Sequence, residues 1–368
     1  MERIKILFFI ETLDGGGAEK VLRNLVNNMD QTTFNITVQT VFPGQAVRML
    51  ASGIRYKTLY PNRSRLNVLR YRIEAALGWT YRLHMQDDYD LECAYLECGA
   101  TKILAGSSNR KAVKLAWIHC DLQQAISDPK AFAEKTKNFY RKYDKVVCVS
   151  QQGKRSFDEL FGRQTESVIV YNTVDREEIL QKAEIPLSEP VEHPLVVSLG
   201  RLAEPKNYLR LLKAHKRLLE EGINHKLLIL GEGPERPMLE QFVRENRLEG
   251  TVSLPGFSDN PYPWLKAADV LACSSSYECF STFVTEGLIL GKPIVTTDVS
   301  GMRELLGESR WGMVTMCEDE TFYKGLKEML TQAQLRKEYA ARAELRGRDF
   351  STETLVKATE LFFCDLVR

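Results

Sequence analysis

Two glutamates eight residues apart, Glu278 and Glu286, frame the stretch of the sequence with the clearest chemical content. Ser281 and Thr282 lie between them, and both are residue types that suit the start of a helix. A helix start presents unpaired backbone N–H groups and a partial positive charge, and such a site binds phosphate. The flanking carboxylates would repel a phosphate but would accept hydrogen bonds from neutral hydroxyls. The pattern therefore predicts a site for a diphosphate that carries a sugar at each end.

The residues around this stretch predict the elements that position it. Asp269–Ser274 and Pro293–Thr297 are short apolar runs, and each predicts a buried strand with a helix between the two. Similar runs alternate with helical patterns throughout the chain, beginning with Ile4–Ile10. Because these runs are continuously apolar rather than alternating, they predict mostly parallel sheets covered by helices. The segment Ile185–Pro194, with three prolines, breaks the alternation and predicts an interdomain linker.

This order of elements predicts an α/β protein with two Rossmann-like βαβ domains that face each other across a cleft. A chain of 368 residues is long enough for two such domains. The first is predicted to span residues 1–185 and the second residues 186–350. Ligands of such sheets bind beyond the carboxyl ends of the strands, so a shared ligand is expected in the cleft.

Composition narrows the class of protein further. The net charge of +1 gives no support to nucleic-acid binding. Eight cysteines without a Cys-x-x-Cys pair predict reduced thiols rather than a zinc site or a disulfide framework. The opening apolar run is too short for a signal peptide, and no stretch is long enough to span a membrane. Together these features predict a cytoplasmic protein.

The first domain contains two candidate sites. Gly15, Gly16 and Gly17 follow the first strand, where glycine would permit close approach of a phosphate or a sugar. A tight turn without a ligand is an equally good interpretation. His119 ends a predicted strand beside Asp121, and a neutral imidazole there could share a hydrogen bond with a sugar hydroxyl near the reacting carbon. A purely structural histidine is the alternative.

The second domain adds two cations and a glycine turn. Arg201 and Lys206 follow its first predicted strand, and they could clamp a diphosphate, with arginine as a fork and lysine as a point charge. Solvated surface cations are the alternative. Gly256 and Phe257 end a later strand, where a flat nucleobase could approach the backbone. An ordinary strand-to-helix turn would use the same residues.

The glutamate pair, the cation loop and the glycine turn occur in an order that resembles the family-4 retaining glycosyltransferases of the GT-B fold. Further segments are similar to bacterial members that build capsular, lipid-linked or cell-wall glycans. The residues that carry the resemblance are Gly15-Gly-Gly17, Trp117-Ile-His119, Tyr171-Asn-Thr-Val-Asp175, Gly200-Arg201, Lys206, Glu278, Glu286 and Gly291-Lys-Pro-Ile-Val295. The sequence departs from the family pattern at Cys279 and Ser281, where glycine is common, which weakens any inference about the sugar.

The resemblance implies a nucleotide-sugar donor held mainly by the second domain, without a metal or other cofactor. It implies that Glu286 binds the ribose hydroxyls and Glu278 the hydroxyls of the transferred sugar. The groups implied at the diphosphate are the backbone N–H groups of Phe280, Ser281 and Thr282 on one side and the side chains of Arg201 and Lys206 on the other. His119 would lie beside the reacting sugar, and Gly16 and Gly17 near the phosphates or the acceptor. The last helix, within residues 351–368, would pack on the first domain.

The expected function is retaining transfer of a hexose or N-acetylhexosamine from a UDP-sugar to a glycan or lipid-linked glycan acceptor. Two alternatives remain open at this point. One is a hydrolysing UDP-sugar epimerase on the same fold, and the other is a non-catalytic sugar-nucleotide-binding protein.

The segment Arg63–His84 predicts a helix in which five arginines alternate with large apolar residues. Such a helix could rest on the anionic inner face of a membrane. A covering helix with solvated cations is the alternative. Asp88 and Asp90 superficially match the Asp-x-Asp metal signature, but they precede a strand, away from the expected cleft, and predict a structural role.

Overall fold

A computed structural model of the chain describes residues 2–14, 16–85, 87–162, 165–187 and 190–368. It divides into two units, the first formed by Met1–Val174 with Thr352–Arg368 and the second by Asp175–Ser351. Gly15, part of the predicted glycine turn, lies outside the described residues.

The strands and helices alternate through both units. In chain order the strands are β1 (Ile4–Phe9), β2 (Phe34–Thr40), β3 (Arg55–Thr58), β4 (Leu91–Ala94), β5 (Val113–Ile118), β6 (Lys145–Cys148), β7 (Glu166–Ile169), β8 (Leu195–Leu199), β9 (Lys226–Leu230), β10 (Val252–Gly256), β11 (Val270–Cys273), β12 (Ile294–Thr297) and β13 (Met313–Thr315). The α-helices are α1 (Gly17–Asn28), α2 (Arg65–Leu77), α3 (Thr80–His84), α4 (Gly99–Leu104), α5 (Leu122–Ala125), α6 (Pro129–Tyr140), α7 (Gln151–Phe161), α8 (Arg176–Ala183), α9 (Tyr208–Glu220), α10 (Arg236–Glu245), α11 (Tyr262–Ala267), α12 (Thr282–Ile289), α13 (Met302–Leu306), α14 (Asp319–Thr331), α15 (Ala333–Gly347) and α16 (Thr352–Val367).

Each unit is built on one parallel sheet. The first sheet has the order β3-β2-β1-β4-β5-β6-β7 and the second β10-β9-β8-β11-β12-β13, with every paired strand parallel. The strand order reverses beside β1 in the first sheet and beside β8 in the second. The prediction of an α/β protein with two Rossmann-like domains is confirmed. The carboxyl ends of β1 with β4, and of β8 with β11, are the places where such sheets bind ligands.

The last helix, α16, belongs to the first unit. Its Phe363 is fully buried, and the ring centroid lies 5.9 Å from that of Phe8, 6.4 Å from Phe34 and 6.1 Å from Trp117. These partners lie on β1, β2 and β5. The helix therefore covers one face of the first sheet.

The boundary between the units lies before the proline-rich segment, not within it. Helix α8, which a boundary at residue 185 would give to the first domain, is part of the second unit. The Asn260 amide donates a hydrogen bond to the Lys182 carbonyl oxygen at 3.0 Å, and Lys266 pairs with Glu184 at 2.6 Å. The prolines thus mark the connection from α8 to β8 inside one unit.

The helix predicted within Arg63–His84 is two helices, α2 and α3. Gly78 ends α2 in the left-handed conformation, with φ of 71°. This conformation favours glycine because it has no Cβ, so a single glycine stops the helix. Across the described ranges, no helix is long and apolar enough to cross a membrane.

Candidate functional site

The loops that follow β8 and β11 are hydrogen-bonded to each other. The Asn207 amide donates to the Ser276 hydroxyl at 3.1 Å, and the Ser276 backbone N–H donates to the Pro205 carbonyl at 2.7 Å. The Ser274 hydroxyl donates to the Lys206 carbonyl at 2.9 Å. Because β8 and β11 are neighbours in the sheet, residues about 70 positions apart in sequence meet at the point where the strand order reverses.

Lys206 and Glu278 form an ion pair at this point. The Lys206 ammonium donates to Oε1 of Glu278, and the Ser275 hydroxyl donates to the same oxygen at 2.9 Å. Both side chains are largely shielded, with 26% of Lys206 and 13% of Glu278 exposed. Burial acts to lower the pKa of Lys206, but the Glu278 carboxylate outweighs it, and the pKa lies above its usual value. The lysine is therefore charged, and a ligand that binds either group competes with this pair.

Arg201, the other predicted cation, is not part of this ion pair. It follows Gly200, is exposed, and makes no ion pair with any residue that the structure describes. The structure therefore brings Lys206 and Glu278 together and leaves the Arg201 guanidinium accessible.

The start of α12 presents backbone N–H groups, and only that of Thr282 is among the three that the resemblance implied. Ser281 is the N-cap residue, and its hydroxyl accepts a long hydrogen bond of 3.5 Å from the Val284 N–H. The N–H groups of Thr282 and Phe283 have no acceptor in the part of the chain that the structure describes. Such a terminus attracts an anion. Phe280, the third residue implied at the diphosphate, precedes the cap and is 9% exposed.

Glu286 lies in the second turn of α12 and is 2% exposed. It stands four residues after Thr282, so the two share one face of the helix. The structure thus places the Glu286 carboxylate one helical turn behind the first N–H donors of α12.

The glycines at the ends of β8, β9 and β10 allow strand ends to touch each other. The Gly231 N–H donates to the Gly256 carbonyl at 2.8 Å, and a Cβ on Gly231 would lie only 1.9 Å from the Gly200 carbonyl oxygen. Gly256 has φ of 96°. A Cβ on Gly256 would lie 2.6 Å from Oε1 of Glu232, and Phe257 beside it is 66% exposed.

We expect Gly231→Ala to destabilise the second unit by well over the 1–3 kcal/mol or so that a disfavoured backbone conformation costs. Gly231 has φ of 143° and has no room for a Cβ, whereas Gly222 has φ of 78° and no atom within 4 Å of its Cβ position. Gly222→Ala is therefore the matched control for backbone strain alone. Urea unfolding of both variants measures the difference in the free energy of unfolding. Equal losses of stability would show that the contact with Gly200 does not contribute.

In the first unit, His119 follows β5 and contacts residues that follow β4. Its backbone N–H donates to Oε2 of Glu97 at 3.0 Å, and its ring centroid lies 4.9 Å from that of Tyr95. Its Nε2 is buried and has no hydrogen-bond partner within the described ranges. Burial lowers the pKa of the imidazole to about 3, so the ring is neutral at pH 7.

Glu11, which no pattern in the sequence indicates as a site residue, lies near the carboxyl end of β1 in the first unit. It follows β1, and its Oε1 accepts a hydrogen bond from the Tyr71 hydroxyl at 3.1 Å. Burial raises the pKa of Glu11 and the nearby Glu97 carboxylate adds to this, while the Tyr71 bond acts in the opposite direction. Glu11 thus follows the strand beside which the order of the first sheet reverses, a position that only the structure reveals.

The glycine turn before α1 is held by a carboxylate of its own helix. Glu19 accepts hydrogen bonds through Oε2 from the backbone N–H groups of Asp14 at 2.7 Å and Gly16 at 2.8 Å. Gly17 begins α1, and nothing lies within 4 Å of its Cβ position. The Glu19 carboxylate would repel an anion that approached these N–H groups. The geometry at Gly16 therefore favours a structural turn over a phosphate site.

The remaining acidic candidates have structural partners. Asp121 caps α5 by accepting from the Gln123 N–H at 3.0 Å, and Asp90 accepts from the Lys5 N–H at 2.8 Å at the amino end of β1. Within the described ranges there is no group of three or more His, Cys, Asp or Glu side chains that could hold a metal ion.

Comparison with known proteins links the second unit to one family. Residues 176–346 match the family model described as glycosyl transferases group 1. This range runs from the start of α8 to near the end of α15, so it includes every predicted site residue of the second unit.

Two curated relatives extend this finding. The chain is 36% identical over 184 residues to the N-acetylgalactosamine-N,N'-diacetylbacillosaminyl-diphospho-undecaprenol 4-alpha-N-acetylgalactosaminyltransferase of Campylobacter jejuni, covering 50% of this chain and 49% of that protein. It is 28% identical over 223 residues to the lipopolysaccharide core biosynthesis glycosyltransferase LpsE of Rhizobium meliloti, covering 60% of this chain and 64% of that protein. The matches thus span about half to two thirds of these relatives.

Solved structures share the fold over the full chain. HepE of Anabaena in complex with UDP-glucose has a TM-score of 0.77 at 19% identity, covering 99% of this chain and all of that one. WaaG, a glycosyltransferase involved in lipopolysaccharide biosynthesis, has a TM-score of 0.69 at 18% identity, covering 96% and 98%. At 18–19% identity, this similarity shows a shared fold and nothing about the reaction.

Proposed function

We propose that the chain is a glycosyl transferase of group 1, because its residues 176–346 match that family model. It transfers a hexose or N-acetylhexosamine from a UDP-sugar to a glycan or lipid-linked glycan, with retention at the anomeric carbon. The observation that carries this proposal is the meeting of Lys206, Glu278 and the start of α12 where the strand order of the second sheet reverses.

In this proposal, each group at the second sheet binds one part of the donor. The N–H groups of Thr282 and Phe283 and the Lys206 ammonium suit a diphosphate, because all present positive charge to it. The carboxylates suit hydroxyls, so Glu286 binds the ribose and Glu278 the transferred sugar. On this assignment Glu278 also orients Lys206 through their ion pair.

The proposed chemistry depends on stabilising the leaving group. The bond between the anomeric carbon and the diphosphate oxygen breaks, and the acceptor oxygen forms a bond to the same face of that carbon. The acceptor proton passes to the leaving phosphate. Arg201 and Lys206 stabilise the charge that develops on the diphosphate, so no metal cofactor is required. Neutral His119 shares a hydrogen bond with a hydroxyl near the reacting carbon.

The acceptor side of the proposal is drawn from relatives. The Campylobacter jejuni relative is named for a diphospho-undecaprenol acceptor and LpsE for lipopolysaccharide core biosynthesis. We therefore place this chain in bacterial polysaccharide biosynthesis of capsular, lipid-linked or cell-wall type, acting at the cytoplasmic face of the membrane. Glu11 and Glu97, beside His119, are acceptors for hydrogen bonds from an incoming hydroxyl.

A thermal-shift screen of UDP-, GDP- and ADP-sugars in the presence of EDTA tests the donor. A ligand at 100 times its Kd stabilises the folded state by about 2.7 kcal/mol. We expect UDP and UDP-sugars to raise the melting temperature without metal, and the other nucleotides not to. No response to any nucleotide-sugar would contradict the proposal. Release of UDP at the same rate with and without an acceptor would favour the hydrolysing epimerase instead.

A further inference from the structure

Helix α2 packs on the first unit with one side and exposes the opposite side. Its inner side packs onto the first unit, where Tyr71 lies 6.2 Å from Phe42 and 6.3 Å from Tyr60 between ring centroids. Glu74, also on the inner side, is 6% exposed and accepts a hydrogen bond from the Tyr60 hydroxyl at 2.6 Å. These contacts fix the helix on the unit, so its outer side is a stable surface.

The outer side carries a row of large apolar side chains that no part of the described chain covers. We call this row, with its continuation into α3, the apolar stripe. Its members and their exposed fractions are Leu66 (74%), Leu69 (56%), Ile73 (51%), Leu77 (52%), Trp79 (54%) and Leu83 (48%). They are six of the fifteen exposed large apolar residues found across the described ranges, gathered in 18 positions, so they form a patch rather than scattered surface residues.

The geometry of a helix aligns the first four members. At 3.6 residues per turn, the side chains at 66, 69, 73 and 77 fall within an arc of about 80°. Arg65 and Arg72 flank this arc on one side and Arg70 on the other. A solvent-facing side of a helix ordinarily carries polar residues, so this arrangement requires a partner that accepts apolar groups along its length.

The charge around the stripe is positive. Arg63, Arg65, Arg72 and Arg82 are exposed and make no ion pair with any described residue. The sole acid between residues 63 and 85 is the buried Glu74, which is already paired with Arg70 at 2.6 Å and with His84 at 2.7 Å. The partner must therefore be apolar inside and negatively charged at its surface.

From this combination we infer that α2 and α3 dock the protein on an anionic lipid bilayer, with the apolar stripe in the acyl boundary and the arginines at the headgroups. An amphipathic helix lying in the interface buries its apolar side in this way, and each nearby cation adds attraction to anionic lipid. A second copy of the chain fits less well, because a symmetric interface would bring the same arginines face to face.

Helix α2 also contacts Glu11, one of the residues proposed to bind the acceptor. Tyr71, on the inner side of α2, donates the hydrogen bond to Glu11. One helix thus joins the lipid-facing side of the unit to the carboxyl end of β1. If the acceptor is lipid-linked, as the proposed function has it, docking brings its headgroup close to Glu11. The docking inference itself does not rest on the donor chemistry.

Vesicle binding tests the inference directly. We expect the full chain to co-sediment with vesicles of phosphatidylcholine and phosphatidylglycerol in equal parts, but not with phosphatidylcholine alone, and to be released by high salt. Trp79 fluorescence should shift to shorter wavelength on binding, because Trp117 is buried and Trp264 and Trp311 are already half-buried. Absence of binding to the anionic vesicles at low salt would overturn the proposal.

Three variants separate the contributions of the apolar stripe and of the arginines to vesicle binding. Leu69→Gln with Ile73→Gln should weaken vesicle binding by about tenfold or more. Arg65→Gln with Arg72→Gln should weaken it by about fivefold per arginine on anionic vesicles. Leu345→Gln removes a leucine of matching exposure, 57%, from α15 and should leave binding unchanged.

We expect all three variants to keep the circular dichroism spectrum and the UDP affinity of the wild type. These two measurements exclude unfolding and loss of the donor site as causes of weaker vesicle binding. If the leucine and isoleucine variant binds vesicles as the wild type does, the stripe is not the docking surface. A concentration-dependent dimer that this variant abolishes, without vesicle binding by the wild type, would instead assign the stripe to self-association and overturn the inference.

Discussion

Arg201→Ala is expected to lower kcat by about 10²–10³-fold, because the guanidinium would no longer stabilise the charge that develops on the leaving diphosphate. Arg201 is exposed and has no ion pair with a described residue, so its removal should leave the melting temperature unchanged. Steady-state kinetics with a UDP-sugar and a glycan acceptor measure the effect. The loss should appear in kcat more than in KM, since the contact strengthens in the transition state.

Arg244→Ala is the matched control for this experiment. Arg244 is an exposed arginine of the same unit, on α10, and its loss changes the net charge by the same amount. The control should keep wild-type kcat and KM. Equal rates for both variants would remove Arg201 from the catalytic assignment, and a tenfold rise in KM with unchanged kcat would reduce it to a binding role.

Glu286→Gln is expected to weaken UDP binding by about 10- to 100-fold, because a hydrogen bond to a charged group contributes about 1.5–3 kcal/mol. The substitution preserves the shape of a side chain that is 2% exposed, so packing around α12 should be maintained. Isothermal titration calorimetry measures the affinity. The wild type should bind UDP more tightly than 2′-deoxy-UDP, and the variant should lose this preference.

Glu360→Gln controls for the cost of neutralising a buried glutamate. Glu360 is 5% exposed, lies on α16 in the first unit, and accepts a hydrogen bond from the Asp30 N–H at 2.6 Å. Its variant should bind UDP as the wild type does. If Glu286→Gln binds UDP with unchanged affinity, or still prefers UDP over 2′-deoxy-UDP as the wild type does, Glu286 does not bind the ribose.

The fold was largely predictable because its central strands, such as β1, β8 and β11, are mostly apolar and buried. Runs such as Ile4–Ile10 and Leu195–Leu199 have no other stable place than a parallel sheet covered by helices. The predicted strands Ile4–Ile10 and Asp269–Ser274 agree with β1 and β11 to within one residue at each end. Helices of four to six residues, such as α5 and α11, were missed because they are too short to show a helical period.

The site was predictable in its residue types but not in its pairings. The loop at Lys206 and the loop at Glu278 become neighbours only through the strand order of the second sheet, which no local pattern encodes. At the glycine turn, the sequence pattern could not reveal that Glu19 folds back onto the N–H groups. Glu11 went unselected because a glutamate after a strand has no distinctive spacing.

The position of α16 has a consequence for the order of assembly during synthesis. The second unit is continuous in sequence, whereas the first is completed only by Thr352–Arg368. On the ribosome, the surface around Phe8 and Phe34 that Phe363 covers stays open while residues 175–351 are made. At about 5–20 residues per second this interval lasts roughly 10–35 s. The nascent first unit therefore stays incomplete over this interval, and the second unit can fold before it.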